Sequence, residues 1–160
     1  MSDADLVAEA RRWLGTPFVH QGSCRGAGCD CLGLIRGLWR ARFGDEPQPL
    51  PWYAPDWSAS GGDGPLLAGL GAHLRPVARA TPLAPGQVLA FRIRAHGKVT
   101  HLGVLIRAGA GPRFVHAYCR HGVVDSALTT AWSRRIAVRF AFPPAGHRAV
   151  GPRPRMSMRG

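Results

Sequence analysis

The stretch that decides the fold reads Gly28-Cys29-Asp30-Cys31-Leu32-Gly33-Leu34-Ile35. Asp30 is a residue type that favours the N-cap of a helix, so a helix is predicted to begin at Cys31 and to stop at Gly44. The apolar residues inside it recur at the spacing of one helical face: Leu34, Ile35, Leu38 and Trp39. Cys31 then lies in the first turn, where unpaired backbone N–H groups and the helix dipole stabilise a thiolate. This position favours a reactive sulfur.

The segments around this helix are less regular. Upstream, Ser2 can cap a first helix, with Asp5 as the acid of a capping box. Residues 16–29 are rich in Gly, Cys and Ser without an apolar period, which predicts an irregular loop. Downstream, residues 45–60 contain four prolines together with aromatic residues, which predicts an ordered surface loop. A short third helix is predicted to start near Asp63.

Beyond Pro76 the apolar pattern changes to period two, which is typical of strands. Strands are predicted over residues 87–93, 99–106, 113–118 and 136–142, with Val123 and Val124 adding a short one. Helices followed by consecutive strands imply an α+β domain, with an antiparallel sheet packed against the helix that begins at Cys31. Residues 1–145 are predicted to form one domain. Residues 146–160, with four arginines and no acid, are predicted to be a disordered tail.

Length and composition limit the class of protein. The chain has 160 residues, the size of one ordinary domain, and lacks the run of roughly 18 apolar residues that a membrane helix needs. The start of the chain does not have the pattern of a secretory signal, so synthesis in the cytoplasm and export by another route are expected. The net charge of +12 favours an anionic partner. The arginines form neither one helical face nor one run, so nucleic acid is the less favoured partner.

The four cysteines are Cys24, Cys29, Cys31 and Cys119. Without a signal peptide, reduced thiols are expected rather than disulfides. The first three do not have the Cys-x-x-Cys spacing of a structural zinc site, so no metal site is predicted. Cys29 precedes the start of the helix and is interpreted as a packed thiol rather than the nucleophile.

Two histidines in the predicted sheet are candidates for the base that a cysteine nucleophile requires. His101 lies in an otherwise largely apolar strand, and His116 lies in the next one. Adjacent antiparallel strands can bring such side chains together, so that one orients the other. The alternative is that Cys31 is a small buried apolar group and both histidines are structural. The residues alone leave both interpretations open.

A resemblance to a known family favours the first interpretation. Residues 15–22 and 28–35 resemble the entry loop and nucleophile helix of NlpC-like cell-wall peptidases, whose signature is Asp-Cys-small-Gly-apolar. Residues 84–88 look like that family's Pro-Gly-Asp-apolar turn. Residues 100–104 look like its base strand, and residues 114–117 like the strand of its third catalytic residue. The resemblance spans residues 15–117 in the order of the family.

This resemblance implies a papain-like cysteine peptidase that cuts peptide bonds in peptidoglycan stem peptides, often between D-glutamate and a diamino acid. Carried over, Cys31 is the nucleophile, with its backbone N–H in the oxyanion hole, His101 is the general base and His116 the orienting residue. No metal or organic cofactor is implied. Phe18 replaces a tyrosine found in many relatives. Phe18 and His20 are the candidate substrate-binding residues.

The wording Cys-Asp-Cys-Leu-Gly-Leu, with Arg134-Arg135 and Phe140-Ala141-Phe142-Pro143 near the end, looks most like the branch found in phage and gene-transfer-agent tails. This branch implies phage-like tail proteins as partners and a place in a tail particle that acts on the periplasmic cell wall during DNA delivery. Three alternatives remain. They are a catalytically silent tail-assembly or wall-binding module, a nucleic-acid-binding protein explained by charge, and an acyltransferase or amidase with the same triad.

Overall fold

The structure is a computed structural model that describes residues 1–47 and 64–146. Within these residues the elements are α1 (Asp3–Arg12), β1 (Ser23–Cys24), β2 (Gly28–Cys29), α2 (Cys31–Phe43), α3 (Gly64–His73), β3 (Arg75–Val77), β4 (Val88–Arg92), β5 (Val99–Arg107), β6 (Arg113–Tyr118), β7 (Gly122–Ala127), α4 (Thr130–Ser133) and β8 (Ile136–Ala141). Most of the predicted surface loop 45–60, the predicted helix start at Asp63 and almost all of the tail 146–160 lie outside the described residues.

The two N-terminal helices begin where the sequence predicts. Ser2 caps α1 through a complete capping box with Asp5, in which Ser2 Oγ accepts from the Asp5 N–H at 3.1 Å. Asp30 caps α2, and Gly44 follows its last turn with a φ of 85°. Both helices are amphipathic, so their apolar faces pack on each other and on the sheet.

The described strands β3 to β8 form one sheet of order β3-β8-β4-β5-β6-β7, and every neighbouring pair is antiparallel. Successive side chains of a strand point to opposite faces, so each strand supplies two different surfaces. One face carries the main core with α1 and α2, including Leu102, Val104 and Ile106 of β5. The other face carries a smaller cluster built around Leu89, Phe91, Leu105, Phe114 and Leu128. The predicted α+β class with an antiparallel sheet is confirmed.

The structure differs from the sequence prediction in four segments. Residues 16–29 are not wholly irregular, because β1 and β2 form a small antiparallel hairpin. The short edge strand β3 and the one-turn helix α4 were not predicted, since three or four residues are too few to show a period. β7 is longer than the predicted Val123-Val124 pair, because ladder bonds to β6 hold polar residues as well.

Helix length bears on membrane insertion. In residues 1–47 and 64–146, no helix combines the length and the apolar character required to cross a membrane.

Candidate active site

The first turn of α2 is held in place by the loop that precedes it. Asp30 Oδ1 accepts from the Gly33 N–H at 2.7 Å, and Asp30 Oδ2 accepts from the Gln21 N–H at 2.8 Å. The carbonyl oxygen of Gly22 would lie 1.8 Å from a Cβ at position 33, so only glycine allows the loop to pack this closely. The Asp-Cys-Leu-Gly sequence therefore anchors the turn that carries Cys31.

Cys31 lies against the middle of the sheet, where two neighbouring strands separate. The ladder between β5 and β6 is recorded from Arg107 only as far as the Val104–Val115 pair, whereas the β6–β7 ladder continues to Tyr118. The Cys31 sulfur is 4.0 Å from the carbonyl oxygen of Thr100 in β5, and the Leu102 N–H is directed at the sulfur. The thiol therefore lies at the backbone edge of β5 that β6 leaves free, between the backbone groups of Thr100 and Leu102.

The two candidate histidines are in direct contact. His101 Nε2 lies 2.7 Å from His116 Nδ1, and both side chains are buried. Both pack with the smaller cluster on the sheet face opposite α2. The ring centroids of Phe91 and His101 lie 5.8 Å apart, and those of Phe114 and His116 lie 4.4 Å apart. Because Nε2 of His101 is occupied by His116, Nδ1 is the ring nitrogen left to take a proton.

Glycine at position 103 is needed for this arrangement. A Cβ there would lie 2.7 Å from the ring of Phe114 and 3.3 Å from the carbonyl oxygen of Val115. The glycine in the Thr-His-Leu-Gly-Val sequence therefore lets the Phe114 ring, which packs under His116, lie against β5.

Ser126 and Trp132 are among the contacts of the pair that sequence reasoning missed. Ser126 Oγ, in β7, lies 2.9 Å from Nε2 of His116. Trp132, in α4, places its ring 5.8 Å from that of His101 and 5.3 Å from that of His116. Thr129 caps this one-turn helix, since its side chain accepts from the Trp132 N–H. The Thr-Thr-Ala-Trp sequence signals a capped turn, but nothing local indicates that its tryptophan covers the histidines.

The helix N-terminus does not make Cys31 a thiolate in this arrangement. Burial raises the pKa of the Cys31 thiol to about 12, and the neighbouring Asp30 carboxylate adds to the rise. Backbone N–H groups of Leu102 and Leu32 lower this pKa, but by less. Burial thus opposes the thiolate stabilisation expected at a helix N-terminus, because sequence position does not report desolvation. With this pKa the thiol is neutral near pH 7.

The histidines are also neutral at rest. Burial, with a smaller repulsion from His116, lowers the pKa of His101 to about 3. Burial, with a smaller repulsion from His121, lowers the pKa of His116 to about 4. A neutral imidazole is the form that can accept a proton from a thiol.

The remaining candidates lie around the start of α2. His20 is half-buried, with Nδ1 3.8 Å from Asp30 Oδ2, so it sits beside the cap that precedes Cys31. Phe18 is half-buried, packs on the main core and forms an isolated bridge with Cys29. Cys29 itself is fully buried and unpaired as a disulfide. Burial raises its pKa to about 12, which agrees with a packed thiol.

Two further observations concern possible ligands of the site. Cys31 is the first residue of α2, so its N–H has no acceptor within the helix and points the way an oxyanion-hole donor would. In the part of the chain that the structure describes, no group of three or more His, Cys, Asp or Glu side chains is placed to hold a metal ion.

Solved structures of known proteins share this arrangement of elements. An NlpC/P60 family protein from Bacillus cereus ATCC 10987 superposes with a TM-score of 0.60 and 20% identity, over 90% of this chain and 41% of that one. The chain has the NlpC/P60 fold. The NlpC/P60 domain of the peptidoglycan hydrolase SagA superposes with a TM-score of 0.56 and 22% identity, over 89% of this chain and 100% of that domain. The expected NlpC-type architecture, with N-terminal helices packed on an antiparallel sheet, is confirmed.

A curated protein is also similar to this chain in sequence. The gamma-DL-glutamyl hydrolase of Bacillus subtilis (strain 168) is 29% identical over 128 residues, which cover 80% of this chain. The chain spans only 26% of the length of that relative. No protein-family model matches the sequence.

Proposed function

We propose that the protein is a cysteine peptidase that hydrolyses amide bonds in peptidoglycan stem peptides, with Cys31, His101 and His116 as its catalytic residues. Two observations carry the proposal. His101 and His116 form a hydrogen-bonded pair, and the Cys31 sulfur lies 4.0 Å from the carbonyl oxygen of Thr100, the residue that precedes His101. The named activities of the SagA domain and of the Bacillus subtilis relative support hydrolysis, and the latter supports a γ-glutamyl bond as the target.

The reaction begins from the neutral pair. The Cys31 thiol gives its proton to His101 Nδ1 as the sulfur attacks the substrate carbonyl carbon, and the N–H of Cys31 stabilises the oxyanion. The imidazolium then donates the proton to the leaving amine, and the C–N bond breaks to leave a thioester. Water, activated by neutral His101, hydrolyses the thioester and restores the thiol. His116 accepts the His101 Nε2–H throughout and stabilises the imidazolium.

The wider setting is also a proposal. We infer a phage-like or gene-transfer-agent tail particle as the place of action, where the enzyme opens the periplasmic cell wall for DNA delivery with tail proteins as partners. The resemblance of residues 29–34 to the tail branch supports this, and so does the net charge of +12, which favours approach to anionic envelope polymers. Finding the chain absent from purified particles of its source organism would remove this setting and leave the hydrolase untouched.

A silent wall-binding or tail-assembly module is the second candidate. The observation that favours it is Phe18, which packs on the core and supplies no hydroxyl at the position where many relatives carry a tyrosine. Such a module would bind its partner equally well with or without the Cys31 thiol.

The deciding measurement is the release of soluble peptides from purified peptidoglycan, identified by mass spectrometry. We expect the native protein to release stem-peptide fragments and Cys31→Ala to release none at equal folded concentration. Cys29→Ala is the matched control, because it removes a buried thiol two residues away and should retain activity per folded molecule. If native protein and Cys31→Ala are equally inert on several wall types from acid to alkaline pH, the silent module is the better description.

A further inference from the structure

The hydrogen-bonded chain in the site does not end at the third catalytic residue. His116 uses both ring nitrogens: Nδ1 lies 2.7 Å from His101 Nε2, and Nε2 lies 2.9 Å from Ser126 Oγ. Ser126 lies in β7 opposite Phe114 of β6, so the sheet ladder fixes its position relative to His116. The three side chains form a continuous path of hydrogen bonds from the base to the side of the sheet.

The position of the protons along this path decides whether the base works. Both rings are neutral, so the contact between them contains one N–H donor and one bare nitrogen. In the first arrangement His101 Nε2–H donates to His116 Nδ1, and His116 Nε2–H donates to Ser126 Oγ. In the second arrangement every donor is reversed, so that Ser126 donates to His116 and His116 Nδ1–H donates to His101.

Only the first arrangement leaves His101 Nδ1 without a proton. In the second arrangement Nδ1 carries the proton of the neutral His101, and its one bare nitrogen, Nε2, is bound to His116. Protonation at Nε2 would then bring two N–H groups together. A base built on the second arrangement cannot take the Cys31 proton without first rearranging both rings.

We propose that Ser126 is a positioning residue that accepts the His116 Nε2–H bond, and so holds both histidines in the tautomers that leave His101 Nδ1 free. This inference rests on the catalytic roles proposed above for the same site. Within residues 1–47 and 64–146, His116 is the side-chain partner recorded for Ser126. Ser126 is half-buried, so its own hydroxyl proton can be donated to solvent while the oxygen accepts from His116.

The test is to read the tautomers directly and to measure turnover in the same variants. In the native protein, two-dimensional ¹H–¹⁵N spectra of the histidine rings at neutral pH should show a protonated Nε2 and a bare Nδ1 for both residues. Ser126→Ala should shift both rings toward Nδ1–H and lower kcat about tenfold with little change in KM. Ser126→Thr keeps the hydroxyl in a strand that suits a β-branched residue, and should restore both signals.

Ser133→Ala is the matched control, because Ser133 lies in α4 with an exposed side chain and no recorded side-chain bond to the histidines. It should leave the tautomers and kcat at native values. The proposal is overturned if native His101 carries its proton on Nδ1, or if Ser126→Ala leaves the ring signals unchanged.

The two proposals fail separately in this experiment. Native tautomers that shift in Ser126→Ala, in a protein that releases no peptide, support the positioning role and reject the peptidase. If the native protein releases peptides and the histidine ring signals are the same in Ser126→Ala, the peptidase is supported and the positioning role is rejected.

Discussion

The two faces of the sheet use the same strands for opposite purposes. On the face that packs on α1 and α2, β5 presents Leu102, Val104 and Ile106, all buried in an apolar core. On the other face, β5 presents His101 beside an aromatic cluster, and the buried polar groups there are paired with each other. A single residue step along β5 therefore separates a side chain in the apolar core from the histidine to which we assign the role of general base.

The largest difference between the two faces is expected from the substitution His101→Gln. Removing the base should lower kcat/KM for peptide release by about 10³-fold, because glutamine cannot accept the thiol proton. The change in the free energy of unfolding should be small, since the amide can still bond to His116. Activity and urea-unfolding curves of the purified variant check both statements.

Leu38→Ala provides the opposite control. Leu38 is fully buried on the helix face, so its truncation should lower the free energy of unfolding by about 2–5 kcal/mol. Its kcat per folded molecule should stay near the native value. Equal losses of activity in the two variants would mean that the faces are not functionally separate.

A second comparison uses two glycines, one on each side. At Gly37 a Cβ would lie 2.0 Å from the Trp13 ring, and at Gly103 one would lie 2.7 Å from the Phe114 ring. Alanine at either site should cost about 1–3 kcal/mol of stability through overpacking. Gly103→Ala should also reduce kcat, because the Phe114 ring lies 4.4 Å from that of His116. Peptide release at matched folded concentration distinguishes Gly103→Ala from Gly37→Ala. An unaffected kcat in Gly103→Ala would contradict the role given to the Phe114 ring in positioning His116.

The remaining prediction concerns the dependence of stability on pH. Burial lowers the pKa of His101 to about 3 and that of His116 to about 4, whereas the unfolded chain titrates both near 6.5. Well above pH 6.5 both histidines are neutral in the folded and in the unfolded state, so their effect on the free energy of unfolding no longer changes with pH. As the pH falls from 6.5 toward 4 the unfolded state binds more protons, so the free energy of unfolding decreases by up to about 1.4 kcal/mol per pH unit for each histidine.

Unfolding curves between pH 4 and 8 test this prediction, with His116→Gln as the comparison. The variant should show a shallower decline below pH 6.5, whatever its absolute stability. If the free energies of unfolding of the two proteins fall in parallel below pH 6.5, the buried histidines do not cause the loss of stability in acid. Carboxylate titration enters mainly near and below pH 4 and does not account for a decline that begins at 6.5.

The prediction from sequence was accurate where the signal is local. The caps at Ser2 and Asp30 and the strand boundaries near Val99 and Arg113 follow from residue type and period. It failed for β3, α4 and the hairpin of β1 and β2, where the elements are too short for a period to emerge. The roles of Cys31, His101 and His116 came from the residues and a family resemblance together, and stay predictions.

By itself, then, the sequence determined that a helix begins at Cys31 and that His101 and His116 stand on neighbouring strands, because capping and side-chain alternation act over a few residues. Only the tertiary structure decided that the two rings meet at 2.7 Å, that Ser126 completes their hydrogen bonds and that the thiol is neutral. These features depend on how far neighbouring strands separate and on how deeply each group is desolvated. Both are set by packing between residues distant in the chain, which no local pattern encodes.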